Sequence, residues 1–175
     1  MNKLQLLAGL FVLCALSTFS LAQKQICVGM IAGGDAIQWN IQQPLLKAIT
    51  TEASARGDAT KTQLLMSNND KSAKGEMASI KCDYALMTNV RREWPTPKGG
   101  GLKEGGGKDD EKNPHPSSTA WFQFTLLGKD GKKIDKFETS IEMAPGATAK
   151  TVDPQLQDMI QQMANWTLDG TVTTK

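Results

Sequence analysis

Ile26-Cys27-Val28-Gly29-Met30-Ile31-Ala32 is a short unbroken apolar run, closed by Gly33-Gly34-Asp35. A run this short, with no polar alternation, fits a strand covered on both faces, as in a parallel sheet. Downstream, Leu45, Leu46, Ile49 and Ala53 recur at helical spacing and predict a helix over 43–56. Asn40 or Asp35 can cap it, Pro44 suits its first turn, and Gly57 is a natural stop. A second short strand is predicted over 61–66, ending in Leu64-Leu65-Met66. Asn68-Asn69-Asp70 then turns the chain into a helix near 70–80, with Met77 and Ile80 as buried positions. The third strand is expected over 82–90, with Tyr84, Leu86, Thr88 and Val90 on one face and Ala85 and Met87 on the other. Strands alternating with helices in this way argue for a parallel sheet with right-handed crossovers.

Residues 95–118 differ in character. Pro95, Pro97, Pro114 and Pro116 flank two glycine triplets, 99–101 and 105–107, with lysines and acids between them. Leu102 is the one apolar residue of note, so the segment is read as a long flexible loop. In the stretch that follows, Phe122, Phe124 and Leu126 share one face, and Asp130-Gly131 signals a hairpin turn. The return strand, 134–142, places Phe137 and Ile141 on one side and Lys136, Glu138, Ser140 and Glu142 on the other. That alternation predicts one wet face. A final helix is capped by Asp153, with Pro154 at its first position and Gly170 at its end. Its buried stripe is Leu156, Met159, Ile160, Met163, Ala164 and Thr167. The order β-α-β-α-β-β-β-α describes a single α/β (α+β) domain over 23–175, with a mixed sheet of about five strands.

The first 22 residues have the layout of a cleavable signal peptide. Lys3 forms a positive start, 4–15 an apolar stretch, and Ser20-Leu21-Ala22 a small-x-small cleavage site. Cys14 falls inside the apolar stretch after the bulky Leu13, which does not suit lipidation. Of the 20 basic and 18 acidic residues only Lys3 lies in this leader, so the exported chain is nearly neutral. Such a balance gives no electrostatic footprint for nucleic acid. No second apolar stretch reaches membrane-spanning length, so no transmembrane segment is expected after cleavage.

The chemistry-bearing residues are sparse. His115 is the sole histidine and lies between two prolines of the loop, a poor platform for a catalytic base. One histidine and the two cysteines left after cleavage form no zinc spacing, so no metal or other cofactor is expected. Gly107-Lys108 is followed by Asp109, not by the Ser or Thr of a phosphate-binding loop. Asp35, Glu76, Asp83 and Glu93 are the acids placed near strand ends or helices. A pair drawn from them, Asp35 and Asp83 above all, could serve as acid and base in a small secreted hydrolase. Trp39, at a strand-to-helix connection, and Trp94, beside the long loop, are the candidate binding anchors, since exposed tryptophans at such edges seat partners. Cys27 and Cys82 begin the first and third strands, which are commonly neighbours in sheets of this order. An oxidising compartment favours pairing them, and strands ~4.8 Å apart lie within disulfide reach. Two buried, reduced thiols are the alternative.

The run 26–30, the stretch Cys82-Asp83-Tyr84-Ala85-Leu86, the glycine- and lysine-rich loop, and the Phe-x-Phe strand with its Asp-Gly turn resemble a group of uncharacterised secreted bacterial proteins. These are similar in outline to the CsgG-like and TolB amino-terminal-like α/β modules of the envelope. The resemblance implies a non-enzymatic domain used for assembly or protein contacts, with no catalytic residues to carry over. The expected function is therefore that of a periplasmic or secreted accessory or binding protein whose partner is another envelope protein. Mass spectrometry of the protein from its native host should find Gln23, free or as pyroglutamate, at the amino terminus. An intact Met1 on the exported protein would refute cleavage.

Overall fold

The computed structural model describes residues 23–33, 39–93, 117–144 and 152–172. The leader, most of the 95–118 segment, Asp35, Trp94 and His115 lie outside the described residues. Five strands, β1 (Lys24–Ala32), β2 (Thr60–Leu64), β3 (Tyr84–Glu93), β4 (Ser118–Gly128) and β5 (Lys133–Met143), form one mixed sheet in the order β2-β1-β3-β4-β5. β1 runs parallel to β2 and β3, while β4 runs antiparallel to both of its neighbours, β3 and β5. Three helices complete the domain, α1 (Gln42–Ala55), α2 (Asp70–Ile80) and α3 (Asp153–Val172).

The period of two along the strands sorts side chains between two separate cores. Ile26 and Val28 of β1, Leu86 and Val90 of β3, Phe122 and Phe124 of β4, and Ile141 of β5 face α1 and α3. Leu45, Ile49 and Ala53 of α1, with Met159, Ile160, Met163 and Ala164 of α3, close over them. On the opposite face Cys27, Ala85, Met87 and Leu127 meet Ala73 and Met77 of α2. β1 is thus covered on both sides through its middle, as its unbroken apolar run requires.

Several local expectations shift. The N-cap of α1 is Ile41, whose side chain makes no capping bond, so Asn40 does not serve. Its carbonyl still accepts from the Leu45 N–H. α2 starts as read, with the Asn69 side chain accepting from the Ser72 N–H at 3.0 Å. Lys81 closes it in the left-handed conformation, φ 61°. β3 runs on to Glu93, because β4 pairs with it as far as Thr119. α3 passes through Gly170 and ends at Val172. The glycine there permits close approach: a Cβ would sit 2.7 Å from Leu126 Cδ2. Gly33 does turn the chain after β1, at φ 113°, where a Cβ would fall 1.8 Å from the Val90 carbonyl oxygen.

Cys27 and Cys82 are joined in a disulfide, with Cα atoms 5.9 Å apart and a sequence separation of 55. Both are fully buried beneath α2. The bridge ties the central strand to the turn that launches β3. Closing a loop of that length constrains the unfolded chain by roughly 4 kcal/mol in the entropy model. Replacing both cysteines by alanine should lower stability to chemical denaturation by about 2–4 kcal/mol. Maleimide labelling after denaturation without reductant should find no free thiol at 27 or 82.

Candidate functional site

The two faces of the sheet are covered unequally. α1 and α3 cover one face across β1, β3, β4 and β5. On the other, α2 has 11 residues and spans about 16 Å at 1.5 Å per residue, whereas β3 alone runs about 33 Å. Its buried contacts stop at Met87 and Leu127. Beyond them the sheet carries side chains that no helix covers among the described residues. These are Asn89, Arg91 and Glu93 on β3, Thr119, Trp121 and Gln123 on β4, and Glu138, Ser140 and Glu142 on β5.

Cross-strand register builds the site. Arg91 stands opposite Trp121, and Asn89 opposite Gln123. Trp121 stands opposite Ser140, and Gln123 opposite Glu138. The Trp121 indole N–H donates to Glu93 at 3.0 Å. The Arg91 guanidinium lies over the same indole, 5.6 Å from its centroid, and reaches Glu93 at 3.6 Å. This is a cation–π contact of the kind that fixes an exposed ring. Gln123 donates to Glu138 at 2.7 Å, and Lys136 pairs with the same carboxylate at 2.7 Å. The Lys136 ammonium, with Gln123 adding to it, holds the Glu138 carboxyl below the usual glutamate range. Asn89, Arg91, Trp121, Phe122, Gln123 and Glu138 surround a cleft of about 70 Å³. A wider hollow of about 570 Å³ lies at the end of the sheet, between Glu93, Thr119 and Glu142 on the strands and Gln155 on α3.

The candidate anchors fare differently. Trp39 is 2 % exposed and packs edge-on against Phe122, ring centroids 5.1 Å apart. Its reading as an exposed binding residue is corrected. The chain entering α1 crosses the apolar face of β4, and the indole fills that space. Trp94 lies outside the described residues, as does Asp35. Trp121, which was not among the expected anchors, lies half-exposed on a polar face, and its position was readable. Phe122 and Phe124 face the core, so period two turns Trp121 and Gln123 the other way.

The remaining acids are not brought together. Asp83 and Glu93 bracket β3, at opposite ends of a strand about 33 Å long. Asp83 accepts from the Gln25 N–H at 2.9 Å. Glu76 accepts from the Met66 and Ser67 N–H groups and the Ser67 hydroxyl, at 2.6–2.8 Å. The Ser67 hydroxyl, then the Met66 N–H, lower its pKa. Both are structural ties of the parallel half of the sheet. Among the described residues no cluster of His, Cys, Asp or Glu could hold a metal ion.

No protein-family model matches the chain, and no curated protein matches it. Among solved structures it is similar to a PelC dodecamer from Paraburkholderia phytofirmans, at 13% identity over 84% of this chain and 86% of that one, TM-score 0.43. It is also similar to a neuraminyllactose-binding hemagglutinin homolog from Helicobacter pylori, at 9% identity over 87% of this chain and 90% of that one, TM-score 0.39. An uncharacterised protein matches at 12% identity over 84% and 92%, TM-score 0.42.

A lowered carboxylate pKa contributes stability that is present above the unfolded value, about pH 4.3, and lost as pH falls through the folded value. Glu76→Gln should therefore lower the melting temperature at pH 7 by about 2–4 °C. Its melting curve should also approach that of the wild type as pH drops below about 4. An equal difference at pH 7 and pH 3 would show that the carboxylate charge is not what holds the Met66–Ser67 turn.

Proposed function

We propose that this protein is an extracytoplasmic, non-enzymatic accessory or binding protein of the bacterial cell envelope, and that it receives another envelope protein on the uncovered face of β3, β4 and β5. The observation that carries this reading is Trp121. A large indole lies half-exposed on an otherwise polar surface, held by Glu93 at its N–H and by Arg91 over its ring. An aromatic flanked by arginine, glutamate and glutamine is the composition of an interface hot spot ringed by polar contacts. The ring is already oriented, so little rotamer entropy is lost when a partner arrives. The disulfide supports an oxidising location. The engagement of Glu76, Asp83 and Glu93 in structural bonds supports contact rather than catalysis.

A photo-crosslinking residue in place of Gln123, introduced in the native host, should form a discrete adduct with an envelope protein. Trp121→Ala should reduce that adduct by about tenfold or more, the loss expected on truncating a hot spot, with little change in melting temperature. An adduct undiminished by Trp121→Ala would overturn the assignment of this face.

A further inference from the structure

β5 is the last strand of the sheet, and among the described residues no strand lies on its outer side. It is 11 residues long, which is long for an edge left unpaired. The direction of its backbone groups can be read from one bond. The Lys136 N–H is held at 2.8 Å by the side chain of Asp135, its own neighbour, and so points away from β4. In an antiparallel ladder the N–H and C=O of one residue point the same way, and alternate residues point in opposite directions. Beyond the irregularity between Leu126 and Leu127, the register of β5 on β4 is continuous from Asp135 to Met143. The outward backbone groups are therefore those of Lys136, Glu138, Ser140 and Glu142.

We propose that two copies of this chain pair edge to edge through antiparallel β5 strands, about a two-fold axis at Thr139. A two-fold edge pairing must match each outward residue to an outward residue of the other copy. In the register centred on Thr139, Lys136 faces Glu142 of the second copy, Glu138 faces Ser140, and the relation repeats beyond the axis. It leaves none of the outward residues without a partner and forms about eight inter-strand hydrogen bonds, two per facing pair, once the Lys136 N–H turns from the Asp135 carboxylate to the Glu142 carbonyl of the second copy. It is also the charge-complementary choice. A centre at Glu138 would set that carboxylate against its own copy, and a centre at Phe137 would leave Glu142 unmatched. On the opposite face Phe137 would stand against Ile141, adding an apolar cross-strand pair on each side of the axis. A lysine on an edge strand ordinarily discourages pairing. Here each Lys136 meets a glutamate, so the same charge selects a second copy of this chain over other strands. The dimer would carry a continuous ten-stranded sheet, with the Trp121 surfaces side by side across the axis.

Sedimentation velocity of the purified protein over a concentration series should show a monomer–dimer equilibrium. Lys136→Glu and Glu142→Lys, made singly, place like charges opposite each other twice per dimer and should each raise the dissociation constant by about tenfold or more. The double reversal, Lys136→Glu with Glu142→Lys, restores opposite charges and should recover the dimer. Melting temperatures near that of the wild type verify folding, since the Lys136–Glu138 pair is exposed and contributes little. A wild-type protein that stays monomeric throughout the series, or a double reversal no better than the single ones, would overturn the pairing.

Discussion

The seam between β1 and β3 governs the rest of the structure. β1 is hydrogen-bonded on both edges and covered on both faces over Ile26–Gly29. Ile26 and Val28 enter one core, Cys27 the other, so a single strand registers the two helical layers against each other. The disulfide then fixes Cys82 beside β1, just before β3 begins, which sets where β3 starts and hence where β4 and β5 lie. Around the same edge the Gln25 N–H is bonded by Asp83, and the Asp83 N–H donates to the Gln25 carbonyl. The start of the seam is thus closed by one covalent and two hydrogen-bonded links.

A consequence of that geometry is an imbalance of cover. The β2-β1-β3 half takes α1 on one face and α2 on the other. The hairpin β4–β5 continues the sheet sideways, with α1 and α3 on one face, and among the described residues it meets α2 only at Leu127. Sheet area grows by more than 3 Å for each strand residue, helix cover by 1.5 Å for each helical residue. Among the described residues, the short α2 therefore leaves the far end of β3 and the outer face of the hairpin without helical cover. Their residues are accordingly polar, apart from Trp121, and they bond to one another. Arg91, Glu93 and Trp121 form one linked set, while Gln123, Lys136 and Glu138 form a second.

The same imbalance explains why the ends of the molecule behave differently. At the start of β1, Lys24 pairs with Asp58 at 2.8 Å, and Arg56 links Glu52 of α1 to Asp169 of α3. The two carboxylates raise the Arg56 pKa, Asp169 most. Those charges bind the α1–α3 layer to itself. Among the described residues, the charges of the other face bind their neighbours on the sheet.

Much of this was legible in the residues themselves. Unbroken apolar runs marked a doubly covered strand, alternation from Ile134 to Glu142 marked a one-sided one, and Asn69 marked a helix start, whereas Asp153, expected as a cap, is the first residue inside α3. Cysteine number and strand order were enough to expect the Cys27–Cys82 bridge, because neighbouring strands place their ends within disulfide reach. Trp121 was not among the expected anchors, although the alternation through Phe122 and Phe124 turns it to the opposite face. What the sequence left open was which surfaces stay uncovered, since that depends on how far one element reaches across another. The same residue type, tryptophan, is buried at 39 and half-exposed at 121. Local pattern gives a side chain its direction, but only packing decides whether anything stands there to meet it: Phe122 meets Trp39, and nothing among the described helices meets Trp121.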